Sequence, residues 1–352
     1  MDFKIILIMK NFEFITSYKF AEMSNVVYSG VFTDHQLEEL KISRYTLVEK
    51  NNEFKYIRIK KFKLKENDII FSRTEDVRSL FYILKTIKFK NIKLITHQSD
   101  INVTKKLTRK IPECISRWYS VNLSTENPKL EPIPIGLANN HIKNLNQDDF
   151  DSFNLSNLNF FSQKQPNKLI YLNFQKSTNF KEREGIYELF NSKEWAIVSL
   201  PTNDKQKYLD NLKNTNFVLT PSGNGLDTHR FWETIYSGSI PVVKENIGYE
   251  YAVDLPVLFV KDYRLVTKDL LIDFLEKNNH KNFNLKKLDF NYWKLKINNE
   301  KVENSSLIDI ETRKLAVFLI NYLYKFNHKI KSYKKVFVYY LKKLKKIFNP
   351  KI

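Results

Sequence analysis

The chain has a single cysteine, Cys114, in 352 residues. That excludes a disulfide framework and any zinc site built from several thiolates, and it fits a reducing compartment. Its 7 glycines are too few for a collagen-like or glycine-rich repeat. No apolar run approaches the roughly 18–20 residues of a membrane span. Ile5-Ile6-Leu7-Ile8-Met9 is too short for a signal-peptide core and follows acidic Asp2, so it reads as a strand. Neither the phosphate loop Gly-x4-Gly-Lys nor the dinucleotide fingerprint Gly-x-Gly-x-x-Gly is present. His35, His141, His280 and His328 show no metal-ligand spacing.

What is present is an ordinary apolar fraction, 42%, enough to exclude wholesale disorder. At roughly 150 residues per domain the length suggests about two domains. The net charge is +19, which admits nucleic acid, an anionic membrane surface or phosphorylated substrates. Lys331 to Ile352 hold eight lysines and no acid. At 100° per residue Val336, Phe337, Tyr340, Leu341, Leu344, Ile347 and Phe348 share an arc of about 140°, with Lys334, Lys335, Lys342, Lys343, Lys345 and Lys346 outside it. Such a basic amphipathic tail suits an anionic membrane surface, or else docks on the protein's own core.

Strand-like runs alternate with helical patterns. Asp68–Phe71 reads as a strand, Thr74 as the cap of a helix carrying Val77, Leu80, Phe81, Leu84 and Ile87, and Ile92–Thr96 as the next strand. From Asn144 to Asn167 the chain is polar and reads as a linker. The rhythm restarts with strands at Leu169–Asn173, Trp195–Ser199, Phe217–Thr220, Ile240–Val243 and Val257–Val260, and helices near Lys181–Phe190 and Lys205–Asn214. The expected fold class is α/β: two lobes, 1–150 and 165–300, each with a parallel sheet, facing across a cleft, then helices and the basic tail over 301–352.

Four of the seven glycines, Gly223, Gly225, Gly238 and Gly248, fall within one short segment. Its grammar is strand, Gly-rich loop, short helix, glycine stop, strand. Asp227 or Thr228 can cap the helix, and Gly238 can supply the left-handed residue that ends it. On the helix Phe231, Trp232, Ile235 and Tyr236 share one arc, and Arg230, Glu233, Thr234 and Ser237 the other. A helix N-terminus after such a loop binds phosphate, Arg230 adds a fixed positive fork, and Glu233 can accept from ribose hydroxyls. Otherwise Arg230 and Glu233 form a surface pair and the glycines make a turn.

Pro221-Ser222-Gly223, then Arg230, Glu233 and Gly238-Ser239-Ile240-Pro241-Val242, resembles the signature of exostosin-like glycosyltransferases, including the C-terminal domain of ribitol xylosyltransferases. Softer similarity covers Thr96–Asp100, Arg117–Asn122, Pro132–Leu137 and Leu169–Glu184. The resemblance implies a GT-B fold of two Rossmann-like lobes. It implies transfer of a hexose or pentose from a nucleotide-sugar, a UDP-sugar first, without a catalytic metal or other cofactor. The acceptor would be a glycan or a lipid-linked molecule of surface polysaccharide synthesis. By position, Arg230 should meet the diphosphate and Glu233 the ribose. Gly223, Asn224 and Gly225 should shape the loop, with Asp227, Thr228 and His229 lining the sugar side. Asn173, Thr178 and Arg183 are further donor-binding candidates. The chain shows no Golgi anchor of the kind animal members carry, so the expected location is cytoplasmic or peripheral on the cytoplasmic membrane face.

Inverting transfer needs a base for the acceptor hydroxyl, whereas retaining transfer, the open alternative, does not; ligands meet the carboxyl ends of strands. Ile92–Thr96 leads into His97 and Asp100, so Asp100 is the first candidate for the base and His97 the second. Asp100 can equally be a helix cap. Asp149-Phe150-Asp151 matches a metal-binding Asp-x-Asp, but no apolar strand leads into it, and it reads as a chance match. The different-class alternative is a basic protein that binds nucleic acid or a membrane surface without catalysis; no zinc finger, RNP1 pattern or helix-turn-helix supports the nucleic-acid form. Tyr292-Trp293 reads as core, with stacking on a sugar or base as the alternative, and Cys114 has no evident catalytic partner.

Overall fold

A computed structural model of the protein describes residues 12–51, 53–88, 90–139, 145–150, 152–162, 164, 167–201, 204–298, 307–311, 316–324, 326–327, 329–330 and 333. The strand expected at Ile5–Met9 and nearly all of the basic tail lie outside them.

The first lobe contains α1 (Ser17–Glu22), β1 (Val26–Val27), β2 (Ser29–Phe32), α2 (Asp34–Glu39), β3 (Tyr45–Lys50), β4 (Lys55–Ile59), β5 (Lys61–Leu64), β6 (Ile69–Arg73), α3 (Val77–Leu84), β7 (Ile92–His97), α4 (Lys105–Thr108), β8 (Ile115–Ser120) and β9 (Leu130–Pro132). Its main sheet is parallel throughout, in the order β1-β6-β7-β8-β9. β6 and β7 are buried at every position, as strands covered on both faces must be. Ile70, Leu94 and Trp118 meet α3 on one face; Ile69, Phe71, Ile95 and Tyr119 join the larger core on the other. Thr74 opens a 3-10 turn, Thr74–Asp76, ahead of α3 rather than capping it. An antiparallel β2-β4-β3 sheet, unforeseen in the sequence, is inserted between β1 and β6; β3 has no buried residue and lacks the alternation that marks a strand.

The second lobe contains β10 (Ile170–Leu172), α5 (Phe180–Arg183), α6 (Ile186–Asn191), β11 (Ala196–Val198), α7 (Lys205–Asn214), β12 (Phe217–Leu219), α8 (His229–Tyr236), β13 (Ile240–Lys244), β14 (Leu258–Val260), α9 (Lys268–Asn278) and α10 (Phe290–Asn298). The single helix expected near Lys181–Phe190 is two, broken at Gly185, whose φ is +80°. The sheet is parallel, in the order β11-β10-β12-β13-β14.

In its described residues the polar stretch from 144 to 167 is a packed strap rather than a free linker. Phe150 and Phe160 are buried, Phe153 packs on Phe12, Phe14 and Tyr236, and the Lys164 ammonium donates to the Gly238 carbonyl at 2.8 Å. Where helices were expected from 301 on, a strand comes first: β15 (Ile308–Glu311) pairs antiparallel with β5 of the first lobe, and Lys93 donates to the Ile297 carbonyl at 2.7 Å. Among the described residues no helix is long and apolar enough to cross a membrane.

Candidate functional site

In the second sheet the chain leaves β10 toward β11 on one side, while β12 opens the other side. That reversal makes the gap outside the carboxyl ends of β10 and β12 the place where a doubly wound sheet takes a ligand. Two loops form it: Asn173–Asn179 after β10, and Thr220–Thr228 after β12.

Arg183, 3% exposed, ties these loops together. Its Nε donates to the Ser222 carbonyl at 2.9 Å, Nη2 to Pro221 at 2.9 Å and Nη1 to Gln175 at 2.7 Å. Glu182, a residue the sequence reading passed over, completes the grip by accepting the Ser222 N–H at 2.9 Å. Its role shows only once the loop from 40 residues later comes alongside. A Cβ on Gly223 would lie 3.4 Å from Arg183 Nη2, 3.5 Å from Thr178 Cγ2 and 3.9 Å from Thr228 Cγ2. The fold therefore gathers Thr178, Arg183, Gly223 and Thr228 at one spot.

Thr228 caps α8, accepting the Phe231 N–H, and Gly238 ends it at φ +70°. Arg230 sits in the first turn with its Nε buried and without a hydrogen-bond partner. Burial lowers the Arg183 pKa to about 10, and the charge of Arg230 pushes the same way. Two guanidinium groups thus bear on each other at the crevice. Glu233 does not face water: it is 4% exposed, and its Oε2 accepts from the Tyr208 hydroxyl at 2.8 Å. Asn173 donates to Ser199 Oγ and to the Leu200 carbonyl, at the exit of β11. Asn224 is exposed at the tip of the loop.

The second half of the loop, Gly225 to His229, meets the first lobe. Asn122, just past β8, accepts the N–H groups of Leu226 at 2.8 Å and Asp227 at 3.0 Å and donates to the Ser99 carbonyl at 2.8 Å. The Asp227 carboxylate is buried and accepts from Ile135 N–H, the Tyr251 hydroxyl, Trp232 Nε1 and Thr228 N–H. Burial pushes its carboxyl above the ordinary range, and these donors act against that. His229 Nδ1 donates to the Gly136 carbonyl at 2.8 Å. Asp227 and His229 thus bond across to the first lobe, and the exits of β7, β8 and β9 face the exit of β12.

Of the two base candidates, Asp100 is exposed, one residue beyond Ser99. His97 is 1% exposed: Nδ1 accepts the Gln98 N–H, Nε2 donates to the Pro134 carbonyl, and burial holds its pKa down to about 3. Glu75, just past β6, is a second carboxylate on this rim and was not foreseen. Burial raises its pKa, Arg73 opposes that, and its Oε2 is buried without a partner.

Asp149 is paired with Lys205 and Asn146, and Asp151 lies outside the described residues. Among the described residues no three His, Cys, Asp or Glu side chains group to hold a metal. Trp293 is buried and donates to the Lys287 carbonyl, a core role. Cys114 is buried, and burial pushes its thiol up to about 11. His35 and His280 are exposed; His141 and His328 lie outside the described residues. A surface depression of 460 Å³, between Leu155 and Asn282–Lys286, includes none of the crevice residues. No family model matches the chain, and no curated protein does.

Proposed function

We propose that the protein is a glycosyltransferase of GT-B type, similar to the exostosin-like enzymes, that transfers a sugar from a nucleotide donor. The observation that carries this reading is Arg230 in the first turn of α8, whose buried Nε has no partner, beside a Gly223 loop that Arg183 lines. The charge of Arg230 also reaches Arg183 and adds to the lowering of its pKa. An anion offsets the repulsion between like charges, and a diphosphate also suits the free N–H groups at the start of α8. Gly223 lets that anion approach the backbone. Glu233, held by Tyr208, takes the ribose on this reading. A base for the acceptor comes from the opposite rim, where Asp100 and Glu75 are the available carboxylates; His97 has no free nitrogen for it.

A ligand that binds only the folded state raises apparent stability. Thermal unfolding with UDP, GDP, CDP and their sugar conjugates should show a concentration-dependent rise with one nucleotide series, and Arg230→Ala should move it to about tenfold or more higher ligand concentration. A flat response across all series would count against the reading.

A further inference from the structure

The last of the described residues form a helix whose outward side is apolar. Residues 316–324, 326–327, 329–330 and 333 are helical. One side packs on the first lobe: Val317 and Asn321 are buried, and Arg78 of α3 lies 5.1 Å over the Tyr324 ring. On the other side Phe318, Tyr322, Leu323, Phe326, Ile330 and Tyr333 are between 38% and 63% exposed. At 100° per residue these six fall within an arc of about 140°. The rings of Phe318, Tyr322 and Phe326 stack in sequence, 6.1 Å and 6.4 Å apart.

The sequence beyond Tyr333 keeps the same frame. Counted from Phe318, the apolar residues from Val336 to Phe348 recur within that same arc of about 140°. From Thr312 to Ile352 there are twelve Lys and Arg and no Asp or Glu. A second copy of this helix would bring like charge against like charge, which opposes self-pairing. An anionic bilayer fits both properties, taking the aromatic stripe at the headgroup boundary and the lysines at the phosphates.

We propose that this helix docks the protein on an anionic lipid surface through the stripe from Phe318 to Tyr333. The inference goes beyond the nucleotide-sugar reading and does not depend on it. The helix lies beside Arg78 and the exit of β6, so docking would turn the rim that carries Glu75 toward lipid.

The test is flotation of the full chain with vesicles of phosphatidylglycerol and phosphatidylcholine, against phosphatidylcholine alone. The chain should float with the anionic vesicles at least about tenfold more than with the neutral ones, and less at high salt. Phe318→Ser/Tyr322→Ser/Phe326→Ser should lower the anionic vesicle affinity by about tenfold or more while unfolding temperature and nucleotide response stay those of the parent. Should that variant misfold, Lys342→Glu/Lys343→Glu/Lys345→Glu/Lys346→Glu should give the same loss. The proposal is overturned if the parent stays in the aqueous fraction, if folded variants float as well as the parent, or if the stripe proves to be a dimer contact in a protein that ignores vesicles. Nucleotide response is measured on the same preparations, so either reading can fail without the other.

Discussion

The carboxamide of Asn122 occupies the space that a side chain at residue 225 would need. A Cβ built on Gly225 would stand 2.7 Å from Asn122 Nδ2 and 2.8 Å from Oδ1. Gly225 is therefore glycine because of a residue in the other lobe. Gly225→Ala should destabilise the protein by about 1–3 kcal/mol, as overpacking does. Asp227→Ala should cost about 3 kcal/mol, the upper end of that range, because it strands several buried donors. Urea unfolding followed by tryptophan fluorescence checks both.

Arg230→Ala should weaken nucleotide affinity by about tenfold to a hundredfold, the loss of one charge-assisted contact of about 1.5–3 kcal/mol. It should leave stability nearly unchanged, since the buried Nε makes no hydrogen bond in the free protein. Arg183→Ala should lose both, because its guanidinium ties two loops together. Calorimetric titration alongside thermal unfolding separates the two arginines.

Glu75→Gln should lower transfer by about a hundredfold or more with donor affinity unchanged, if its unpartnered oxygen takes the acceptor proton. Asp100→Asn should do so instead if the exposed carboxylate serves. Turnover with the donor selected by thermal unfolding discriminates them; loss of donor affinity in either variant would speak against a base on this rim.

Acid should weaken the fold through His97. Unfolded, the imidazole titrates near 6.5; folded, burial holds it near 3. Between those values the unfolded chain binds the extra proton, so stability is full above about pH 6.5 and falls as the pH drops toward 3. Urea midpoints at about pH 7 and about pH 4 should differ less in His97→Asn than in the parent.

The strap makes its own prediction. Phe150→Ala should cost about 3–5 kcal/mol, as removal of a buried aromatic ring does, whereas a free linker would tolerate the change. Tyr236→Phe should cost about 1–3 kcal/mol, leaving the Ile15 N–H and the Leu288 carbonyl without their buried partner.

Much of the architecture was legible because its signals are local. Parallel strands such as Phe217–Leu219 are continuous apolar runs, and Thr228 and Gly238 mark the ends of α8 by chemistry that acts within one turn. Composition hid what depends on distant chain. Asn and Ser in the strap masked Phe150 and Phe160, whose burial depends on the core they meet. Asp227 looked like a ligand-lining residue because nothing nearby in sequence foretells Ile135 as its partner. Glu75 was passed over because it sits in no recognisable motif, and Glu182 because nothing near it in sequence foretells Ser222 as its partner. The placement of Arg183, Thr178 and Gly223 in one crevice follows from sheet order, which strand patterns alone leave open.

The loop after β12 has two tenants. Pro221 to Gly223 are gripped by Glu182 and Arg183 beside the crevice, and Leu226 to His229 are bonded across to Asn122, Ile135 and Gly136. So few peptide units lie between that neither end has slack of its own. Whatever fills the crevice and nudges Gly223 must therefore pull on the opposite sheet, and amide exchange at Ile135 is where an occupied pocket would first be felt from afar.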